Sequence, residues 1–409
     1  MANCRFCGAG LTHVFCDLGM SPRSNAFLRA DQLELTEPLY PLCAYVCDRC
    51  FLVQLEQYED PEKMFKDYVY FSSYSDTWLD HSRRYAEQMS AALGLTPDHL
   101  VVEVASNDGY LLQYFKQKRI QVLGIEPAEN VAQAAQSKGI PTIVRFFGTA
   151  VATELANEGK SADLLIGNNV LAHVPELNDF VAGMKRALKP NGIITLEFPH
   201  LLELIERGEF DTIYHEHFSY FSFLTAEKVM ARHGLTVVDV DSIPTQGGSL
   251  RIHVRHTEHI GHAVTLRIDA MRARERAAGL VSLKTYAGFG EKPKKVKREL
   301  LSFLAGAKEA GKKVVGYGAP AKGNTLLNYC GVRTDLIEYT VDRSPYKQGL
   351  YLPGTHIPIF APDKVRETRP DYLLILPWNL STEVISQMGY VREWGGKFVL
   401  PIPEVRVVT

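Results

Sequence analysis

The 409-residue sequence predicts an α/β protein in three parts: a small cysteine-rich module, then two βα units that each read as a doubly wound parallel sheet. Three observations predict it. Paired Cys-x-x-Cys knuckles open the chain at 4–7 and 47–50. A β-rich run over 100–104 passes through a tight turn into a helix-like stretch from Tyr110. A second strand and glycine-rich turn, 313–323, repeat that pattern in the last third.

Cys4-Arg-Phe-Cys7 and Cys47-Asp-Arg-Cys50 each place two thiolates on one turn, so that the pairs together occupy the corners of a tetrahedron. This predicts a closed four-sulfur zinc site, structural because no histidine or open position accompanies it. The metal supplies folding energy to a segment otherwise poor in core. The long gap between the knuckles predicts a small β insertion carrying Cys16, Leu18, Pro22, Asn25 and Phe27. Cys16, Cys43 and Cys330 are left over and read as small buried hydrophobes. Disulfide pairing of the knuckles is disfavoured in a reducing cytosol.

After a tyrosine-rich connection containing Tyr68, Tyr70 and Tyr74, residues 78–93 read as an amphipathic helix leading into the first strand. The tyrosine cluster is either packing or a lid over a ligand pocket. The strand ends on Glu103, and Ala105, Ser106, Asn107, Asp108 and Gly109 make the turn, where amides at a helix start face a polar ligand. Residues 121–126 form a second strand ending in Glu126, followed by Pro127. A carboxylate there accepts hydrogen bonds from both ribose hydroxyls, or it is simply a surface acid after a strand. Residues 162–170 are strand four, ending in Asn168 and Asn169. A Pro190-Asn-Gly turn leads into strand five, and 235–240 with 249–255 close the sheet, the latter alternating as a half-exposed strand. Five strands separated by helices and closed by a hairpin resemble the S-adenosylmethionine (SAM) methyltransferase fold. The turn Glu-x-Ala-Ser-Asn-Asp-Gly departs from the Gly-x-Gly-x-x-Gly of a dinucleotide site.

The chemistry concentrates after strand five, in Tyr214-His-Glu-His217-Phe-Ser-Tyr220. Histidine titrates near neutrality and serves as a general base, and the adjacent Glu216 is placed to fix its tautomer. A metal site there lacks the helical i, i+4 spacing of zincins. His173, after strand four, is either a catalytic neighbour or a satisfied hydrogen-bond partner.

Residues 263–311 read as charged helix with a solvated face. Four strands and loops then repeat the order of the first α/β unit, which reads as a duplicated nucleotide-binding-like domain. Its turn, Gly316-Tyr-Gly-Ala-Pro-Ala-Lys-Gly323, lets amides approach a diphosphate, with Lys322 adding charge and Gly318 and Asn324 alongside. An NAD site and a ligand-free duplicate are the rival readings, and Asp342 ends the second strand as NAD binding would require.

Four motifs in this order, the knuckles, Glu-x-Ala-Ser-Asn-Asp-Gly, Tyr-His-Glu-His-Phe-Ser-Tyr-Phe and 316–328, resemble the zinc-containing C-methyltransferases of deoxysugar biosynthesis, over nearly the whole chain. The resemblance implies methylation of carbon 3 of a dTDP-linked 4-keto sugar in antibiotic-type pathways. It implies Cys4, Cys7, Cys47 and Cys50 as zinc ligands, and Glu103, Glu126, Asn168 and Asn169 in the SAM pocket with the rest of the turn. His217 would be the base, supported by Tyr214 and Glu216, with Tyr68 and His173 as further catalytic candidates. Enolate stabilisation falls to Tyr214, Tyr68 or His173, in that order. The domains expected are 1–60 for zinc, 61–260 for SAM and 261–409 for the nucleotide end of the sugar.

Composition bounds the alternatives. With 45 basic and 47 acidic side chains there is no cationic excess for nucleic acid, which weakens a zinc-ribbon RNA methyltransferase. The lack of Gly-x-Gly-x-x-Gly weakens an NAD-linked oxidoreductase. No basic, apolar leader and no run near the ~18 apolar residues of a membrane span are visible, so a soluble cytoplasmic enzyme is expected.

Overall fold

Strand Leu100–Val104 forms where β-branched residues run together, and it lies inside a seven-stranded sheet, paired on both sides. The computed structural model describes residues 2–60, 62, 64 and 72–409, so Tyr68 and Tyr70 lie outside the described residues. The chain divides into two units. One comprises Met1–Thr12, Cys47–Leu202 and Phe218–Leu283, the other His13–Val46, Glu203–His217 and Lys284–Thr409.

In the first unit the sheet order is Leu235–Ile243, Ser249–His256, Leu188–Pro199, Ala162–Asn168, Leu100–Val104, Gln121–Ile125 and Thr142–Ile143. From Leu188–Pro199 to Thr142–Ile143 the pairs are parallel. Their carboxyl ends therefore share one edge, where ligands of open α/β sheets bind. Ser249–His256 enters antiparallel between two neighbours. Against the half-exposed strand expected, seven of its eight residues are buried, because an interior strand is covered on both faces. Arg251 is tolerated there since it pairs with Glu197 at 2.7 Å and lies over the Tyr85 ring at 4.4 Å.

The Pro190-Asn-Gly turn is also corrected. Ala162 pairs with Leu188 and Leu164 with Ile193, so 189–192 bulge out inside the long strand Leu188–Pro199. Helix Asp76–Ala92 starts at Ser75, whose hydroxyl accepts the Trp78 N–H, and buries Tyr85, Ala86 and Met89 on one face. Tyr85 packs in the same core as Phe115, Val101 and Ile193.

The second unit carries a six-stranded sheet: Ile359–Phe360, Thr340–Val341, Val314–Tyr317, Tyr372–Ile375, Lys397–Leu400 and an antiparallel Arg406–Val408. Taken in chain order, its five parallel strands lie third, second, first, fourth, fifth, the same sequence as in the first sheet. Val315, Val341, Leu373, Ile375 and Phe398 form its core. The predicted β insertion is an antiparallel hairpin, His13–Ser21 with Tyr40–Val46, and it belongs to this unit. Phe15 stacks on Phe289 at 4.5 Å, and Leu28 bridges Tyr351. All seven cysteines are free of disulfides; Cys16 and Cys330 are buried and Cys43 half-buried.

Candidate active site

Each zinc knuckle closes its turn with a left-handed residue, Gly8 at φ 76° and Phe51 at φ 64°. Their amides return to the cysteine carbonyls, Gly8 N–H to Cys4 O at 2.9 Å and Phe51 N–H to Cys47 O at 3.0 Å. The four Sγ atoms of Cys4, Cys7, Cys47 and Cys50 lie within 4.8 Å of one another, with Cys4–Cys50 and Cys7–Cys47 both at 3.5 Å. Tetrahedral zinc with bonds of ~2.3 Å needs sulfurs ~3.8 Å apart, so the donor set fits the ion. Gln54 donates to Cys4 Sγ at 3.2 Å while its own oxygen accepts the Arg5 N–H, which orients the sulfur. Among the described residues no histidine or carboxylate joins the cluster, and four thiolates fill a tetrahedral zinc site.

At the carboxyl edge of the first sheet, Ala105, Asn107 and Gly109 all take positive φ, 55°, 49° and 74°. The turn is held by Glu126, whose Oε2 accepts the Asn107 N–H and Oε1 the Ala128 N–H, both at 2.9 Å. Glu126 thus shapes the turn, and burial pushes its pKa up to about 7. Pro127 is half-buried behind it. A side chain at Gly124 would meet Ser106 Oγ at 2.4 Å, so the second strand must carry glycine where the turn crosses it.

Glu103 is wholly buried, and desolvation pushes its pKa well above the usual carboxylate range. No donor reaches either of its oxygens with full hydrogen-bond geometry, although the Tyr110 hydroxyl lies near enough to ease the cost of its charge. Ser106 Oγ and the Oδ1 atoms of Asn168 and Asn169 are likewise buried with no partner among the described residues. Asn169, at φ 52°, donates its N–H to Glu197 O at 2.7 Å. Buried oxygens of this kind cost about 1–3 kcal/mol each unless a ligand satisfies them. A ligand bearing an ammonium, an amino group and ribose hydroxyls supplies the missing donors, so the residues fit SAM. His173 is half-buried at the end of the turn Leu171–His173.

The His-Glu-His stretch lies in the second unit and divides its labour. His217 is buried, and its Nδ1 faces the Thr212 carbonyl at 2.8 Å. A carbonyl only accepts, so Nδ1 carries the hydrogen and Nε2 the lone pair. The Tyr214 hydroxyl meets that lone pair at 2.7 Å, the two rings 3.9 Å apart. His215 Nε2 donates to Pro41 O at 3.2 Å. Glu216 does not touch His217, which corrects its expected part in setting the tautomer. Both its oxygens accept from Asn25 Nδ2, at 2.8 and 2.7 Å, and burial raises it to about 7.

Lys322 and Gly318 are committed to internal contacts. Lys322 is buried, donates to Asn379 Oδ1 at 2.9 Å and lies near the Trp378 ring. The space a Cβ at Gly318 would take is filled by Pro377 Cδ, 2.6 Å from it. Asn324 donates to Ser24 O at 2.6 Å and keeps a buried Oδ1 without partner. Asp342 accepts the Ala319 and Ser344 N–H groups, as Glu126 accepts those of Asn107 and Ala128 in the first unit. Asp211 and Trp378 went unnoticed in the sequence, because no motif marks them, and Asn25 was read only as part of the β insertion.

A family model described as "C-methyltransferase C-terminal domain" matches residues 244–403, "Methyltransferase domain" matches 78–240 and "Putative zinc binding domain" matches 4–65. C-methyltransferase NovU of Streptomyces niveus is 36% identical over 406 residues, covering 99% of this chain and 96% of that protein. The chain belongs to the C-methyltransferase family. Members of wider methyltransferase groups match less of it: a ubiquinone biosynthesis O-methyltransferase of Bartonella tribocorum is 24% identical over 23% of this chain and 38% of its own. Among solved structures, magnesium protoporphyrin IX methyltransferase from Synechocystis PCC 6803 aligns over 49% of this chain and 100% of its own, at 16% identity and a TM-score of 0.36. This C-methyltransferase uses SAM as methyl donor, and the four-cysteine cluster is its zinc site. Among its described residues no helix is long and apolar enough to cross a membrane.

Proposed function

We propose that this C-methyltransferase methylates carbon 3 of a dTDP-linked 4-keto deoxysugar, with His217 as the base. The observation that carries the reading is the Tyr214–His217 pair. The Thr212 carbonyl fixes the imidazole with its lone pair on Nε2, the state a base needs at neutral pH. The substrate class follows from the order of motifs along the chain, which resembles that of sugar C-methyltransferases.

A hydrogen beside a ketone is acidic because the anion spreads onto oxygen. On substrate binding, the Tyr214 hydroxyl turns from the imidazole to the ketone oxygen, and Nε2 takes the carbon 3 proton. Tyr214 then holds the enolate oxygen, with Tyr68 and His173 as the further donors. SAM, when bound, supplies an electrophilic methyl that the carbanion captures, a step that needs positioning more than acid or base. Glu103, Ala105, Ser106, Asn107, Gly109, Glu126, Pro127, Asn168 and Asn169 hold the donor. The nucleotide end goes to the part from 261 to 409, where Asn324 Oδ1 is one of the buried oxygens without a partner among the described residues. The zinc part, 1–60, is structural, and the enzyme acts in the cytoplasm on a free metabolite.

The test is incubation with SAM and a panel of 4-keto nucleotide sugars, reading product mass and wash-in of solvent deuterium at carbon 3. Methylation of a dTDP-4-keto sugar is expected, with His217→Asn losing about 10²–10⁴-fold in both readouts. Full deuterium exchange in His217→Asn would refute the base assignment. Methyl transfer to RNA, and to no sugar of the panel, would refute the substrate class.

A further inference from the structure

The approach to the histidine stretch is pinned at two residues by side chains far along the chain. Asp211 is wholly buried, and its Oδ2 accepts the Trp378 indole N–H at 2.7 Å. Lys322, itself buried, adds its charge to the same carboxylate, offsetting the burial that pushes Asp211 up to about 6. Two residues on, the Ile213 carbonyl accepts from Thr325 Oγ1 at 3.1 Å. Between these anchors lies Thr212, whose carbonyl receives His217 Nδ1, and whose hydroxyl ties back to Glu209 O at 2.7 Å.

Thr212 ends the one-turn 3-10 segment Phe210–Thr212, and its carbonyl lies at the open end of that turn, where its aim also depends on whatever fixes the residues on either side. Here both neighbours of Thr212 are fixed by residues on helix Ala321–Cys330 and the turn Trp378–Leu380. Lys322 occupies the place in its glycine-rich turn where a phosphate-binding lysine would be sought, yet its ammonium donates to Asn379 and its charge acts on the Asp211 carboxylate.

We infer that Asp211, Trp378, Lys322 and Thr325 are positioning residues for the methyl-transfer reaction: they aim the Thr212 carbonyl at His217 and thereby set which imidazole nitrogen carries the lone pair. The inference rests on His217 being the base. It gives the turn at 316–323 a catalytic use that requires no ligand there, because the lysine acts through the loop rather than on a phosphate.

The test separates the two layers. In the full-length, zinc-loaded protein, ¹⁵N-histidine spectra assigned by the loss of one signal in His217→Asn report the tautomer of that ring. Thr325→Val removes one hydroxyl at constant shape, and Asp211→Asn removes the charge facing Lys322. Both are expected to populate the Nε2–H tautomer and lower kcat about tenfold to a hundredfold, with KM for SAM unchanged. Thr325→Ser, which keeps the donor, is expected to restore both readouts. If folded Thr325→Val and Asp211→Asn proteins keep the Nδ1–H tautomer and wild-type kcat, the positioning role is wrong, even where His217→Asn is inactive. If His217→Asn turns over normally, the base assignment fails instead, whatever the spectra show.

Discussion

Replacing Glu126 by glutamine should weaken SAM binding by a calculable amount. The carboxylate takes one backbone N–H on each oxygen, from Asn107 and from Ala128, each at 2.9 Å. Glutamine has one oxygen, so one of these buried amides must face an NH₂ group, donor against donor. A buried donor left unmet costs about 1–3 kcal/mol. Asn107 sits at φ 49°, an unfavourable conformation that this contact helps hold, so the loss falls on the shape of the turn. At 1.4 kcal/mol per factor of ten, the Kd for SAM should rise about fivefold to a hundredfold. The charge makes a second demand. Burial raises the Glu126 pKa to about 7, and a protonated carboxyl loses an acceptor. Affinity of the unsubstituted enzyme should therefore fall as pH drops from about 8 to about 6, while that of Glu126→Gln stays level across this step. Calorimetric titration with SAM at both pH values, on protein shown by circular dichroism to be folded, measures both effects. A variant that binds within twofold of the parent and follows the same pH course would refute the reasoning.

Cys47→Ser should lower zinc from one ion per chain to well below it, read by atomic emission. It should cost several kcal/mol of stability in denaturant unfolding, since a closed thiolate site contributes binding energy directly to folding; an unchanged midpoint would sink the structural role. Glu216→Gln should report on pH-dependent stability. The folded pKa of Glu216 is about 7 against an ordinary 4.5, so between those values the folded state holds the extra proton. The stabilisation is complete below about 4.5 and is lost as pH rises through about 7. The Tm of the parent relative to Glu216→Gln should accordingly fall between pH 5.5 and pH 8, and a difference that is flat or rises would contradict it.

What was legible in the sequence is what neighbouring residues decide. The knuckles are spaced within one turn, and the strand, turn and helix around Gly109 follow each other directly, so their alternation and turn chemistry can be read in place. The third-second-first-fourth-fifth order of both sheets was not legible in this way, because strand–helix succession tells which strands run parallel but not which lie side by side. The failures share the opposite property. Ser249–His256 looked half-exposed because its arginines alternate with aliphatics; only the partner Glu197, 54 residues earlier, makes Arg251 acceptable inside. Pro190-Asn-Gly looked like a turn because nothing local shows that the flanking residues stay paired to Ala162–Asn168.

The site obeys the same division. Tyr214 and His217 lie three residues apart and meet across a single turn; that Tyr214 supports His217 was implied by the family resemblance. Glu216, though adjacent, was given the wrong partner, because adjacency in an irregular loop says nothing about direction. Its carboxylate is claimed by Asn25, 191 residues away, and the segment that aims the imidazole is claimed by Trp378, 167 residues from Asp211. A loop rich in titratable groups therefore advertises where chemistry is done, while which group does it is decided by distant residues that carry no motif of their own. If that division is right, substitutions at Asn25, Trp378 and Thr325 should change how His217 and Glu216 behave without altering any residue that the motif itself contains.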